Sequence, residues 1–351
     1  MDWLHFLIFT LILFVFVIVG VLFFIWYERR GLGRFQIRPG PNRAGPFGLL
    51  QPLADAIKVL LKEDIVPTLA DKPVHFLAPL VAFVPAMAVF AVIPFGDGAL
   101  LADLNIGILY IMAVSSMIVI GIFMAGWSSS NKYSLLGAMR TIAQEVSYEI
   151  PLVLSILGAV MLAGSLSLND IVKAQEVPFI LLQPLGFLIY MTAAMAEINR
   201  TPFDLLEADS EIIAGFQTEY SGMKFGLFYL TEYAETLSVS AIASTLFLGG
   251  WAGPGFLPGF AWLIIKIIAV FSLIMWVRAT FPRLRIDQVM AFCWKFLLPL
   301  ALLNLLLTAV LVLTGLNAQL WLAIPLNLAL AVVLIIALSR QYKTGGGHAV
   351  T

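Results

Sequence analysis

Residues 3–27 read WLHFLIFTLILFVFVIVGVLFFIWY, a run without a single Asp, Glu, Lys or Arg, and Glu28, Arg29 and Arg30 close it. An α-helix rises ~1.5 Å per residue, so about 20 apolar residues cross a hydrocarbon layer ~30 Å thick. The stretch predicts a membrane-spanning helix. It does not read as a cleaved leader, because the run is too long, lacks a basic start and ends in YERR rather than at small residues. The rest of the chain has the same character: 61% of residues are hydrophobic and 12% charged, against a charged share of about 25% in soluble domains. This is the composition of an integral membrane protein.

Comparable apolar stretches fall at 74–95, 105–127, 141–163, 179–198, 225–248, 259–277, 296–313 and 320–339. With the first they predict an all-α integral membrane protein, a polytopic bundle of about nine transmembrane helices in a single membrane domain, 1–351. Only TGLNAQ separates the last two, so the number becomes eight if that pair does not form two crossings. Lys and Arg concentrate on the inner side of membrane proteins. With the N-terminus outside, segments 28–73, 128–140, 199–224, 278–295 and 340–351 hold 18 of the 20 bases, leaving Lys173 on an outer loop and Lys266 within a span. The long loops 28–73 and 199–224 are thereby predicted to be cytoplasmic.

Several chemistries are excluded by scarcity. One cysteine, Cys293, cannot form an intrachain disulfide, an iron–sulfur site or a thiolate zinc site. His5, His75 and His348 lie far apart, which argues against a metal or haem site. The Gly-rich stretch GRFQIRPGPNRAGP follows a membrane span and is broken by prolines, unlike a nucleotide-binding fingerprint. A net charge of −1 argues against a nucleic-acid partner. No metal and no cofactor of its own are expected.

Two features carry chemistry. In the first inner loop, Leu49, Leu50, Leu53, Ile57, Leu60 and Leu61 recur at helical spacing among Asp55, Lys58 and Lys62. They predict an amphipathic helix over 47–62 at the membrane interface. Spacing alone leaves open whether it is a lipid anchor or the wall of a binding site.

The second feature is EINRTPFDLLEADSEIIAGFQTEYSGMKFGLFYLTEYAE, residues 197–235, which sets eight of the chain's 21 acids against two bases, Arg200 and Lys224. Glu232 and Glu235 share one helical face, as do Glu145 and Glu149 just before Pro151. A charge deep in a membrane helix costs on the order of 2.5–3.5 kcal/mol, so such carboxylates are expected to be protonated, paired or facing water. Glu197 is a further buried candidate, with Arg200 one turn away as a candidate partner, and Arg140 is a candidate partner of Glu145 at the inner end. A stand-alone proton or cation transporter and a structural anchor for a redox module both remain open at this point.

The strings YERRGLGRFQIRPGPNRAGPFGLLQPLADAIKVLLKED, IAQEVSYEIPL, residues 197–235 and WVRATFPRLRIDQVMAFCWK closely resemble the NuoH-type membrane-subunit family of respiratory complex I, the proton-pumping NADH:quinone oxidoreductase. The similarity covers essentially the whole chain. It implies a subunit of a bacterial inner membrane, N-terminus periplasmic, at the junction of a hydrophilic redox arm and the proton-pumping membrane arm. Quinone would be its substrate, while flavin and iron–sulfur clusters would sit in partner subunits. By motif match, Glu28, Arg29, Arg38, Asp55, Lys58, Arg278 and Arg283 would line or support a quinone chamber. Glu149, Glu197, Asp204, Glu207, Asp209, Glu211, Glu219 and Glu232 would form a proton or charge relay toward neighbouring pumping subunits, with Glu145 and Glu235 matching more loosely. Related subunits serve membrane-bound hydrogenases and dehydrogenases with other donors, so the electron donor is set elsewhere.

Overall fold

The computed structural model describes residues 3–98, 100–205, 214–315, 324–325 and 327–336, with side chains from Leu7 onward. Every regular element among the described residues is helical. The α-helices are α1 (Trp3–Phe35), α2 (Gln51–Leu60), α3 (Lys72–Ala88), α4 (Gly107–Ser115), α5 (Met117–Ser128), α6 (Lys132–Ala163), α7 (Leu168–Ala174), α8 (Phe179–Leu182), α9 (Pro184–Glu197), α10 (Gly222–Phe247), α11 (Gly259–Thr280), α12 (Ile286–Phe292), α13 (Leu298–Leu313) and α14 (Asn327–Ile336). The chain is an all-α polytopic membrane protein.

Among the described residues, six continuous helical stretches are each long and apolar enough to cross a membrane: Leu7–Phe35, Lys72–Val92, Gly107–Ser128, Lys132–Ala163, Gly259–Thr280 and Ile286–Leu313. The predicted span 179–198 is divided between α8 and α9, because Gln183 leaves helical geometry at φ −133°. Proline follows it, and the residue before proline is sterically pushed out of the α region. Of the predicted ninth span, 320–339, the described residues are 324–325 and α14.

The core forms around α10, which packs on α1, α2, α3, α9 and α11. Every residue from Thr236 to Phe247 is buried, and the hydroxyls of Thr236, Ser240, Ser244 and Thr245 are satisfied by carbonyls of the same helix. Its small residues, from Ser238 to Ser244, let neighbouring backbones approach closely. A second centre is α6, which packs on α5, α9 and α13. Pro151 within α6 lacks the N–H that would bond the carbonyl of Ser147. The Cys293 thiol donates to that carbonyl instead, at 3.2 Å. Cys293 sits in a π-helical turn, Cys293–Leu297, between α12 and α13, and its work is structural.

The amphipathic helix is shorter than the expected 47–62. Phe47 (φ 56°) and Gly48 (φ 77°) take left-handed backbone conformations, which delays the helix to Gln51. The carbonyl of Phe47 accepts Trp26 Nε1 at 3.0 Å and Arg30 Nη1 at 2.7 Å, fastening this loop to α1.

Candidate functional site

Three zones of charge lie in sequence through the bundle. The outermost is an open groove of about 820 Å³ between α1, α2 and α10, lined by Arg29, Asp55, Lys58, Tyr220, Tyr229 and apolar residues such as Leu22, Ile25 and Phe225. Arg29 Nη1 donates to Asp55 Oδ2 at 2.5 Å, and Lys58 Nζ donates to Asp55 Oδ1 at 3.0 Å. Burial alone would raise the Asp55 pKa, but these two cations outweigh it and hold the carboxyl below its ordinary value. Tyr220 in the groove wall stacks face to face on the buried His75 at 4.0 Å, and burial pushes its phenol up to about 12.

Behind the groove sits a buried ion hub. Arg200, 3% exposed, places Nη1 3.1 Å from Glu28 Oε1 and Nε 3.4 Å from Glu232 Oε1, with its guanidinium 4.5 Å from the centre of the Tyr233 ring. Arg278 bonds the same Glu28 oxygen. Burial would lower the pKa of Arg200, yet Glu28 and Glu232 raise it well above its usual value, so it stays charged. Alongside, Arg283 Nη2 lies 2.9 Å from Asp204 Oδ2. Two acids and two bases balance at the hub.

The third zone is unbalanced. A cavity of about 40 Å³, lined among others by Asp204, Glu232, Arg278, Glu145 and Glu235, adjoins one of about 50 Å³ lined by Glu145, Glu197 and Glu235 with Tyr190, Ser115 and Ser238. Glu145, Ile198, Ile118 and Glu235 line both. The deeper cavity has no basic residue in its lining. Glu145 Oε1 accepts from Asn199 Nδ2 at 2.8 Å, while its buried Oε2 has no hydrogen-bond partner.

The sequence-derived candidates thus separate. Arg29, Asp55 and Lys58 line the groove; Glu28, Arg278 and Glu232 form the hub; Asp204, Glu145, Glu197 and Glu235 line the inner cavities. Arg38 lines an arginine-rich recess with Arg30 and Arg34, and a cavity of about 490 Å³ together with Arg29 of the groove. Glu149 is partly exposed and is absent from the lining of both inner cavities. Glu219 accepts from Asn131 Nδ2 at 2.6 Å, at the start of α6 rather than in a cavity. Glu207, Asp209 and Glu211 lie outside the described residues.

One expectation is corrected. Arg200 does not pair with Glu197, because α9 ends at Glu197 and Asn199, in a left-handed conformation (φ 51°), turns the chain so that Arg200 points back to α1 and α10. Sequence reasoning misses Asn199 and Gln144 altogether. Gln144 Nε2 bonds the carbonyls of Ala196 and Phe203 at 2.7 and 2.8 Å, clamping this turn. A clamp between residues 52 positions apart leaves no periodic signal in the sequence.

A helical bundle that holds an open amphipathic groove, a buried ion hub and an enclosed carboxylate cluster defines a polytopic membrane protein organised around buried charge. Comparison with known proteins narrows this. The family model described as NADH dehydrogenase matches residues 8–309. The chain is 73% identical over 346 residues to the H subunit of NADH-quinone oxidoreductase from Dehalococcoides mccartyi (strain CBDB1), covering 99% of this chain and 98% of that one. It is 52% identical over 316 residues to the protein of the same name from Bacillus mycoides (strain KBAB4), covering 88% and 95%. The chain belongs to the family of NADH-quinone oxidoreductase H subunits, the membrane subunit of complex I.

Proposed function

We propose that this chain forms the membrane wall of a quinone chamber and couples quinone reduction to proton translocation through its buried carboxylates. The observation that carries the reading is continuity. Arg29 and Glu28 are neighbours on α1, one in the groove and the other in the hub, while Glu232 and Glu235 are one turn apart on α10, one in the hub and the other in the inner cavity. The groove, with its apolar walls and few convergent polar groups, suits a quinone head on an apolar tail. In this reading the loops 28–73 and 199–224 face the cytoplasm, the N-terminus faces the periplasm, and the groove is completed by iron–sulfur and quinone-site subunits of a hydrophilic arm. Flavin and clusters belong to those partners, and NADH is the donor.

Reducing a quinone to the quinol takes two electrons and two protons, so each turnover changes charge and proton demand in the groove. A unit charge about 10 Å away acts with roughly 1.7 kcal/mol at an effective dielectric constant of about 20. That shifts a carboxylate equilibrium by about one pH unit. The hub, held by opposed charges, passes this change to Glu235, Glu145 and Glu197, whose titrations are coupled by proximity. Cavities of 40 and 50 Å³ have room for water, which needs about 10–15 Å³ per molecule. Asp204, Glu149, Glu219 and the acids at 207, 209 and 211 extend the series toward neighbouring pumping subunits.

The test is a reconstituted complex carrying Glu149→Gln or Asp209→Asn. Quinone-linked proton uptake into liposomes should fall several-fold for each; unchanged pumping rate and proton-to-electron ratio in both would refute the relay.

A further inference from the structure

The groove and the ion hub meet at two phenols. Tyr229 lines the groove, while the buried Tyr233 borders the hub with its ring 4.5 Å from the Arg200 guanidinium. They stand four residues apart on α10 and so share one face of it. Their rings lie 5.0 Å apart at 56°, and the Tyr229 hydroxyl donates to the Tyr233 oxygen at 3.4 Å. Tyr229 is also within reach of Arg29, and Tyr233 within reach of Glu28 and Arg200, so each phenol bears on the charge beside it. Packing does not account for the two hydroxyls. Phenylalanine at either position would fill nearly the same space and bring no polar group that needs a partner.

A phenol has one hydrogen and sends it one way at a time. In a bonded pair, the sense of the shared bond is therefore set by what the outer phenol meets. A quinone head presents carbonyl oxygens, which accept and cannot donate, whereas a quinol presents hydroxyls, which do both. With quinone in the groove, Tyr229 donates to the carbonyl. Tyr233 then donates to Tyr229, and its hydrogen is withdrawn from Glu28. With quinol, whose hydroxyl donates to Tyr229, the bond runs in the sense found here, from Tyr229 to Tyr233. The Tyr233 hydrogen is then free for Glu28. A separation of 3.4 Å is long against the ~2.8 Å usual for two hydroxyls, which leaves room for the small ring turn that reversal requires. No proton leaves its phenol in either state, so polarity passes and charge does not.

We propose that Tyr229 and Tyr233 form a hydrogen-bond relay that reports the redox state of a quinone head in the groove to the buried ion hub. What changes at the hub is one charge-assisted donor to Glu28. Glu28 holds both Arg200 and Arg278, and Arg200 also holds Glu232. Gain or loss of that donor redistributes the two arginines between Glu28 and Glu232, one turn from Glu235. The inference rests on the proposed function, in which the groove takes quinone.

It is tested on the complete complex by infrared difference spectroscopy between the quinone and quinol states, in the native form, Tyr229→Phe, Tyr233→Phe and the double variant. The native spectrum should show tyrosine C–O bands and carboxylate bands shifting together. Each single variant keeps its ring and should lose the tyrosine bands and at least half of the carboxylate shift, while the quinone bands remain. The double variant should lose no more than either single one, because the pair acts as a unit. A native spectrum without tyrosine bands, native carboxylate bands in Tyr229→Phe, or additive losses in the double variant would overturn the inference. A photoreactive quinone that labels neither α2 nor α10 of the native complex would instead refute the proposed function on which it rests.

Discussion

Glu232 and Glu235 stand one turn apart on the same helix, and their surroundings are opposite. Glu232 lies 3.4 Å from Arg200, in a hub where Glu28 and Glu232 are matched by Arg200 and Arg278. Glu235 lines both inner cavities, and the one it shares with Glu145 and Glu197 has no base in its lining. The matched group faces counter-charges, whereas the lining of the cavity around the unmatched cluster supplies none. Position on a helix therefore does not assign a role to a membrane carboxylate, whereas the partner across the interface does.

The comparison breaks first at Arg200. Arg200→Met leaves Glu28 and Glu232 short of their buried counter-charge, and uncompensating a buried pair costs about 3–5 kcal/mol. Thermal unfolding of the solubilised complex should show a large loss of stability, and Arg200→Lys, which keeps charge but not the planar fork, should fall between. A native-like melting curve for Arg200→Met would mean the hub is not balanced as described.

Removing a charge from the unmatched cluster should do the reverse. Glu197→Gln or Glu235→Gln is expected to lower proton pumping at least tenfold while changing stability by under about 1 kcal/mol, because burying a neutral amide relieves like-charge repulsion.

The groove sharpens the contrast further. Asp55→Asn should raise the quinone KM several-fold in steady-state assays, since Arg29 and Lys58 lose their common anchor. Its pH behaviour follows from sign. The Asp55 pKa is held below its ordinary value of 3.8, so the pairing is fully present above that value and is lost only as pH falls through the lower, folded-state one. The native KM should therefore show no Asp55-dependent change across the neutral range. The smallest effect is expected at Tyr220→Phe, which removes a 3.3 Å contact with Ser128 and should destabilise by about 0.5–1.5 kcal/mol in the same melting assay.

Most of the fold is legible in the sequence because crossing a bilayer imposes a length and a composition, and the run from Trp3 to Tyr27 alone states both. The misplaced boundaries have local causes: Pro184 expels Gln183 from the helix, and Phe47 and Gly48 turn the chain before α2. The site is legible as a collection of residue types but not as a set of pairs. Arg200 and Glu28 are 172 residues apart, and the turn at Asn199 that joins them depends on a side chain, Gln144, arriving from another helix. Arginine so close to Glu197 in sequence reads as its partner; in the fold, the two face different zones.

The central claim is that the inner carboxylates transmit the chemistry of the groove. The most direct measurement is the proton-to-electron ratio of the reconstituted complex with Glu197→Gln, taken alongside its rate of quinone reduction. The account predicts that electron transfer continues at a measurable rate while the ratio falls well below that of the native complex. A native ratio at any rate of quinone reduction would contradict it.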